Sequence, residues 1–159
     1  GMAICFKETD VRCMGRDACG VRGIKLREGD YVIGAARAKA GHQVLMVTEN
    51  GYGKRTDMDE YIRADGPQNR GGYGLKGYNV TDKTGPVVGV KVVNDNDDVL
   101  VINDAGVIIR MAVSGISTYG RTAQGVKIMN LEDGVKVISF ARTDHEEEEE
   151  DTGASEGEE

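Results

Sequence analysis

The sequence predicts an all-β protein assembled from three successive copies of one structural unit, each with about four strands. Three observations support this prediction. Segments of the chain recur in the same order, and no stretch has the periodicity of an amphipathic helix. The 23 glycines also disfavour long helices, because glycine is a poor helix former. We expect units at residues 1–40, 41–96 and 97–143, followed by a disordered acidic tail at 144–159.

The first repeated element is a β-hairpin. The segment "VLMVTENGYGKRTDMDEY" begins at Val44, and "VLVINDAGVIIRMAVSGI" begins at Val99. In each, an apolar run meets a turn with a glycine, Gly51 or Gly106, and a second extended run follows. Glycine readily adopts the positive φ angle that tight hairpin turns need. The opening "GMAICFKETDV" fits the second half of this element with Gly1 on Gly51, so we expect unit 1 to start at the turn.

The second repeated element is a block with the pattern R-x-x-x-G-[VL]-[RK]. It occurs at residues 16–22, 70–76 and 121–127, once in each predicted unit. An arginine, a glycine and a second basic residue therefore return at fixed positions. We call this element the basic block.

A β-branched run closes each unit. The three runs are "YVIGAA" from Tyr31, "VVGVKVV" from Val87 and "VKVISFA" from Val135. Their composition and period-two character predict half-buried strands. With the hairpin and the block, each unit has the size of a propeller blade. An ordinary β-sandwich would explain the strands but not the three matching copies.

The segment "QNRGGYGLKG" from Gln68 contains the spacing GxGxxG at Gly72, Gly74 and Gly77. A dinucleotide-binding loop of this kind needs a helix after it, whose N-terminus holds the pyrophosphate. Here "YNVTDKTGPVVGVKVV" follows, with no helical period, so we exclude a nucleotide cofactor. Glycine also allows close approach of a backbone to phosphates, and Arg and Lys supply charge. Repeated in every unit, this arrangement favours a polyanion, and duplex DNA above all.

No other chemistry is indicated. The two histidines, His42 and His145, lie far apart in sequence, and no nucleophile has a base beside it. The cysteines Cys5, Cys13 and Cys19 have neither metal-ligand spacing nor a disulfide framework. We therefore expect no catalysis, no metal site and no bound cofactor. No apolar run is long enough for a membrane span and no signal peptide is visible, so we expect a cytoplasmic protein without a membrane partner.

The charge is distributed unevenly. The chain has 20 Lys and Arg against 27 Asp and Glu, a net charge of −7, but ten of the acids lie from Asp144 onward. Residues 1–143 therefore carry a net charge of +3. A basic body with an acidic tail is often found in proteins that bind nucleic acids. The tail carboxylates are expected to compete with phosphate for the cations of the body.

Four segments closely resemble the C-terminal domain of the DNA gyrase A subunit. They are "VTENGYGKRT", "GRDACGVRGIKL", "DAGVIIRMAVSGIS" and "GRTAQGVKIMN". The resemblance extends from about Ala3 to Ala141, and the acidic tail also looks like that of the family. The C-terminal domain of the topoisomerase IV A subunit shares the repeat in a more degenerate form and resembles the chain less.

The resemblance implies a β-pinwheel, a propeller-like disc whose neighbouring blades exchange strands. About two and a half units would form part of the disc, corresponding to its last blades. It also implies a basic rim that wraps duplex DNA and supports negative supercoiling by the whole enzyme. The partners implied are the gyrase B subunit and the rest of the gyrase A subunit, in the bacterial cytoplasm on the chromosome. ATP and Mg²⁺ would act on other parts of the enzyme.

That family carries a heptapeptide, QRRGGKG, in its first blade. The residues of this chain that match it are Gln68, Arg70, Gly71, Gly72 and Gly74. Asn69 and Tyr73 depart from it, and Tyr73 replaces a cation. Since this copy lies in the penultimate unit, we interpret it as a relative of the heptapeptide in another blade.

Together, the repeats and the resemblance define a candidate DNA-binding set. Its members are Arg16, Arg22, Lys25, Lys54, Arg55, Gln68, Arg70, Gly71, Gly72, Gly74, Lys76, Arg110, Arg121 and Lys127. The alternative functions are a protein-interaction propeller whose charge is incidental and the C-terminal domain of a topoisomerase IV A subunit.

Overall fold

The computed structural model describes residues 1–145 and confirms the predicted all-β fold. The strands are β1 (Met2–Ala3), β2 (Gln43–Thr48), β3 (Tyr52–Asp57), β4 (Leu75–Lys76), β5 (Val87–Val93), β6 (Asp97–Asn103), β7 (Ile108–Ala112), β8 (Val126–Lys127) and β9 (Val137–Asp144). Three short 3₁₀ turns, Glu8–Asp10, Met58–Tyr61 and Val113–Gly115, are the helical elements of the described residues.

Both predicted hairpins are present. β2 pairs antiparallel with β3, and β6 pairs antiparallel with β7. The turn glycines, Gly51 and Gly106, have φ values of +80° and +83°, as their hairpin turns require. In the second turn the side chain of Asn103 accepts hydrogen bonds from the backbone N–H groups of Ala105 and Val107. The predicted closing strands of units 2 and 3 are also present, with β5 on β2 and β9 on β6.

Two of the three sheets contain a strand contributed by the following unit. The basic block of unit 3 forms β8, which adds to β3 and completes a four-stranded sheet in the order β5-β2-β3-β8. In the same way, the basic block of unit 2 forms β4, which pairs with β1 of unit 1. The remaining sheet has three strands in the order β7-β6-β9. Neighbouring units are therefore joined by main-chain hydrogen bonds.

The predicted closing strand of unit 1 is wrong. Residues 31–36 form no strand, and Tyr31 is 71% exposed. In units 2 and 3 the closing strand pairs with the first strand of its own hairpin, β2 or β6. The described residues of unit 1 contain no such first strand. The polar backbone groups of 31–36 therefore have no ladder to join, and β-branched composition alone does not make them a strand.

Two apolar cores lie on opposite faces of β2. Val44 and Met46 pack into a cluster with Met58, Tyr61, Tyr78 and Val87, against which Ala3 and Cys5 of unit 1 also pack. Leu45 and Val47 point to the other face and join a cluster that contains residues of units 2 and 3, among them Val99, Val101, Val137 and Phe140. Because successive side chains of a strand face opposite ways, β2 is buried on both sides and connects the two cores.

The last strand runs beyond the predicted body. Asp144 ends β9 and pairs with Asp97 of β6, and the N–H of His145 donates to the carbonyl of Asn96. The predicted disordered acidic tail otherwise lies in residues 146–159, outside the described residues.

Candidate nucleic-acid interface

The glycine of the basic block lets one backbone lie directly on another. Gly20, Gly74 and Gly125 occupy the same position in the three blocks, and their φ values are +76°, +78° and +75°. A Cβ on Gly74 would lie 2.2 Å from the carbonyl oxygen of Ala3, and one on Gly125 would lie 2.5 Å from that of Gly53. In units 2 and 3 these glycines therefore serve the exchange of strands between units, and their conformation favours glycine over any side chain.

The arginine that opens the block ties it to the block of the preceding unit. Nη1 of Arg70 donates to the carbonyl oxygen of Arg22 over 2.6 Å. Nη1 of Arg121 donates to the carbonyl oxygen of Lys76 over 3.0 Å. Both arginines are half-buried. Each guanidinium therefore fixes the backbone at the last basic residue of the previous block.

Those last basic residues are themselves exposed. Arg22, Lys76 and Lys127 hold the same position in the three blocks, and each side chain reaches solvent. Nζ of Lys76 donates to Oδ1 of Asn79 over 2.9 Å. Together with the two connecting arginines they form what we call the basic row. Its members in order along the chain are Arg22, Arg70, Lys76, Arg121 and Lys127.

The loop "QNRGGYGLKG" contacts unit 1 through its backbone. The N–H of Gly71 donates to the carbonyl of Gly23 over 2.7 Å, and the carbonyl of Gly72 accepts from the N–H of Lys25 over 2.8 Å. Gly71 has a φ of +85°. The two glycines thus bind a neighbouring segment of the protein backbone, residues 23–25, in place of a phosphate, and the helix that a phosphate-binding loop needs is missing.

Tyr73 gathers two further cations beside the basic row. Nζ of Lys25 lies 4.9 Å from the centre of its ring and the guanidinium carbon of Arg27 lies 5.5 Å from it, both within cation–π range. The sequence predicted Lys25 but missed Arg27, and it treated Tyr73 only as the loss of a cation. An aromatic residue in a basic loop was the available signal.

Lys54 and Arg55 are buried, which corrects their placement among the cations of a surface rim. Lys54 is 1% exposed, and its Nζ donates to the carbonyl oxygens of Gly120 and Arg121 over 2.7 and 2.6 Å. Arg55 is 7% exposed, donates from Nε to the carbonyl of Ile116, and forms an ion pair with Asp95. Both side chains hold unit 3 on unit 2.

Gln68 is also buried, at 8% exposure. Its backbone N–H donates to the carbonyl of Cys5 over 2.9 Å, and its side-chain Nε2 has no partner. The equivalent N–H in unit 3, that of Tyr119, donates to the carbonyl of Arg55 over 2.8 Å. The contact at this position is therefore made by the main chain and recurs between units.

The remaining predicted cations lie apart from the row. Arg16 is exposed. Arg110 forms an ion pair of 2.8 Å with Asp98 and donates to the carbonyl of Asp144. Hydrogen bonds from His145 and Arg110 lower the pKa of Asp98 below its ordinary value. The structure thus brings together Arg22, Lys25, Arg70, Gly71, Gly72, Lys76, Arg121 and Lys127 of the predicted set, and it uses Gly74 for strand exchange.

Burial of Lys54 predicts a distinctive pH dependence. Desolvation lowers its pKa to about 8, although Glu60 acts in the opposite direction. An unfolded lysine keeps its proton to about pH 10.4, so the unfolded state binds more protons between these values and folding stability rises with pH. We expect the free energy of unfolding to gain about 2 kcal/mol between pH 8 and pH 10 relative to a Lys54→Met variant. Urea unfolding followed by circular dichroism measures it.

Above pH 10 we expect the free energy of unfolding of the wild-type chain to fall as pH rises. Burial raises the pKa of Tyr61 to about 12 and raises the pKa of Tyr78 as well. Unfolded tyrosines ionise near pH 10 while these two stay protonated, so the free energy of unfolding falls.

A pH profile of wild-type stability that matched that of Lys54→Met from pH 8 to pH 10 would refute the assignment to Lys54.

Within residues 1–145, no group of three or more His, Cys, Asp or Glu side chains is placed to hold a metal ion. The same residues include no helix of the length and apolar character that a membrane crossing demands.

Comparisons with family models and with curated proteins agree on one family. The model of the family described as "DNA gyrase C-terminal domain, beta-propeller" matches residues 1–39, 42–94 and 97–144. Among curated proteins, the DNA gyrase A subunit of Staphylococcus epidermidis is 46% identical over 145 residues, which are 90% of this chain and 16% of that protein. The DNA gyrase A subunit of Staphylococcus aureus is 45% identical over 150 residues, which are 92% of this chain and again 16% of that protein. The chain thus spans about a sixth of the length of these relatives.

Solved structures agree with the fold. A DNA gyrase A C-terminal domain superposes with a TM-score of 0.81 at 31% identity, over 89% of this chain and 47% of that one. The C-terminal domain of a DNA topoisomerase IV superposes with a TM-score of 0.80 at 24% identity, over 91% of this chain and 44% of that one, and shows a shared fold. With the repeated blocks and the strands exchanged between units, these matches establish that the chain belongs to the DNA gyrase C-terminal domain, beta-propeller family.

Proposed function

We propose that this chain binds duplex DNA along the basic row and serves as a DNA-wrapping module of a gyrase A subunit. The observation that carries the proposal is the repetition of one exposed cation, Arg22, Lys76 or Lys127, at the same place in every unit. Arg70 and Arg121 connect successive positions by hydrogen bonds to main-chain carbonyls. Cations that recur once in every unit suit a polyanion whose negative charges also recur at regular intervals, as the phosphates of duplex DNA do.

The chemistry of the row favours contact with phosphates over reading of bases. Its cations stand on strands and loops fixed by the main chain, and the described residues contain no helix long enough to enter a major groove. Binding of this kind draws its free energy from the release of counterions and is independent of sequence. Lys25 and Arg27, held beside the row by Tyr73, would extend the positive surface.

The proposal also covers the role of this chain within a whole gyrase. The curated relatives are named as A subunits of DNA gyrase, and this chain corresponds to about a sixth of their length. We assign negative supercoiling to the assembly of this domain with the rest of the A subunit plus a B subunit, on the chromosome in the cytoplasm. ATP and Mg²⁺ would act on those other parts, and this chain would bind no cofactor of its own.

Removing the three exposed cations tests the proposal. In the triple variant Arg22→Ala, Lys76→Ala, Lys127→Ala, we expect the affinity for a duplex of about 40 base pairs to fall at least tenfold at low salt. We also expect the slope of log affinity against log salt concentration to shrink by about 3, because each lost phosphate contact removes about 0.9. Mobility-shift titrations at several salt concentrations measure both.

A charge-matched control separates the row from general positive charge. The variant Arg37→Ala, Lys39→Ala, Lys91→Ala loses the same three charges from residues that line a different surface cavity. Lys91 lies on β5, at the opposite edge of the four-stranded sheet from Lys127 on β8. Equal losses in both variants would argue against the row. Unchanged DNA binding in the first variant would favour the alternative, a protein-interaction propeller.

A further inference from the structure

The junction of units 1 and 2 and the junction of units 2 and 3 share a main-chain contact beside the basic row. At the first junction, the N–H of Lys25 donates to the carbonyl of Gly72 over 2.8 Å. At the second junction, the N–H of Asn79 donates to the carbonyl of Ala123 over 3.3 Å. The side chains around this contact can therefore be compared position by position.

The two junctions differ in charge. Around the contact, the first junction has Lys25 and Arg27 from unit 1 and Tyr73 from unit 2. We call these three residues the tyrosine cluster. The residues at the same positions of the second junction are uncharged, and they are Asn79, Thr81 and Gln124. Two cations and an aromatic ring are thus present at the first junction and missing at the second.

The ring of Tyr73 is the common neighbour of both cations. Nζ of Lys25 lies over the ring, 4.9 Å from its centre, and the guanidinium carbon of Arg27 lies 5.5 Å from the same point. At these distances the ring attracts each cation to its face. The phenolic hydroxyl has no hydrogen-bond partner among residues 1–145, so it is the ring that holds the two cations.

The positive charge of the tyrosine cluster is not neutralised by a carboxylate. Within residues 1–145, neither Lys25 nor Arg27 forms an ion pair. The carboxylate of Asp30 accepts a hydrogen bond of 3.4 Å from the backbone N–H of Arg27 and not from its guanidinium. Both cationic side chains are exposed, and Tyr73 is 43% exposed. The N–H donors of the two cations are therefore available to an anion.

The backbone holds the tyrosine cluster next to the basic row. Nη1 of Arg70 donates to the carbonyl of Arg22, three residues before Lys25. A Cβ on Gly71 would lie 3.4 Å from that same carbonyl oxygen, so the loop that carries Tyr73 lies directly on the chain at Arg22. An anion bound at Arg22 would thus have the two further cations close by.

We propose that Tyr73 is a positioning residue that holds Lys25 and Arg27 for two additional phosphate contacts at the first junction. This role rests on the proposed function, because the phosphates are those of duplex DNA bound along the basic row. A long cationic side chain loses rotamer freedom when it binds a phosphate. Attraction to the ring restricts both side chains before DNA arrives, so less of that entropy is lost on binding.

Mobility-shift titrations of residues 1–159 with a duplex of about 40 base pairs test this role. In the double variant Lys25→Ala, Arg27→Ala, we expect the affinity to fall at least about fivefold. The slope of log affinity against log salt concentration should shrink by about 2, because each lost phosphate contact removes about 0.9.

Substitutions of Tyr73 test the positioning itself, since they leave the charge of the chain unchanged. Tyr73→Ala should lower the affinity about threefold, as expected for the loss of exposed cation–π contacts. Tyr73→Phe keeps the ring and should stay within about 1.5-fold of the wild type. Gln124→Ala is the matched control, because Gln124 occupies the same position at the second junction without cations to hold.

A double-mutant cycle shows whether Tyr73 acts through the two cations. When Lys25 and Arg27 are already alanine, adding Tyr73→Ala should change the affinity by less than about 1.5-fold. A purely structural role of Tyr73 would lower the affinity equally in both backgrounds. Circular dichroism checks that each variant is folded, and Tyr73→Leu replaces Tyr73→Ala if the alanine variant is not.

Three results would overturn the role of Tyr73. The first is wild-type affinity in Tyr73→Ala. The second is an equal loss with and without the two cations, because Tyr73 would then act independently of them. The third is a loss in Tyr73→Phe as large as in Tyr73→Ala, because the ring alone would then not be sufficient.

The triple variant Arg22→Ala, Lys76→Ala, Lys127→Ala separates this inference from the proposed function. If the triple variant loses DNA binding while the variants of the tyrosine cluster bind as the wild type does, the basic row is supported and the role of Tyr73 is refuted. If the triple variant binds DNA at wild-type strength, the proposed function is refuted and the role of Tyr73 with it.

Discussion

Gly125→Ala is expected to lower the free energy of unfolding by about 3 kcal/mol. Its Cβ would lie 2.5 Å from the carbonyl oxygen of Gly53 and 2.9 Å from the hydroxyl of Tyr78. The first neighbour is the backbone of a paired residue of β3, which cannot move without breaking the β3–β8 pairing. The φ of +75° adds the cost that any L-residue meets in the left-handed region. Urea unfolding followed by circular dichroism gives the change.

Gly29→Ala separates the two contributions. Gly29 has a φ of +80°, but a Cβ there would have nothing within 4 Å. This variant should lose only about 1 kcal/mol, the cost of the backbone conformation alone. Equal losses at Gly29 and Gly125 would mean that the close contact of Gly125 with β3 contributes nothing to stability, contrary to the geometry of the β3–β8 pairing.

Tyr78→Ala is expected to cost about 4 kcal/mol, the typical loss for a large buried aromatic side chain. Tyr78 is fully buried and touches all three units. Its N–H donates to the carbonyl of Gly1, its hydroxyl donates to the carbonyl of Gln124, and its ring lies 5.1 Å from Nζ of Lys54. Removal of the side chain would leave a cavity where the units meet.

Two further variants define what Tyr78 contributes. Tyr78→Phe keeps the ring and loses only the hydrogen bond to Gln124, so it should cost about 1 kcal/mol. Tyr73→Ala removes a tyrosine that is 43% exposed, and its effect on stability should be within about 0.5 kcal/mol. Thermal unfolding of the three variants side by side ranks them. A loss for Tyr78→Ala no greater than for Tyr73→Ala would contradict a central packing role.

The hairpins could be predicted from sequence because their signals are local. An apolar run, a glycine turn and a second run specify each of them, and the structure has β2–β3 and β6–β7 at those places. The closing strands depend instead on a partner elsewhere in the chain. The same β-branched composition gives a strand at Val87, where β2 is available, and none at Tyr31. Composition predicts the tendency to form a strand, and the availability of a partner strand decides whether the strand forms.

The candidate interface was predictable in outline for the same reason. The repeated block showed which cations recur, and Arg22, Lys76 and Lys127 are exposed as a surface site requires. Lys54 and Arg55 look equally basic in the sequence. Their burial follows from coverage by residues 116–121 of the next unit, a contact between distant segments that no local pattern reveals.

The exchange of strands between units also determines how the chain folds. The sheet that contains β3 is incomplete until β8 joins it, and β8 is synthesised long after β3. The sheet of a unit can therefore be completed only after the next unit has been synthesised. The final pairing closes a long loop, which slows folding. In return, a unit cannot open without releasing its neighbour's strand. Thermal disruption should thus spread through all three units together instead of removing them one at a time.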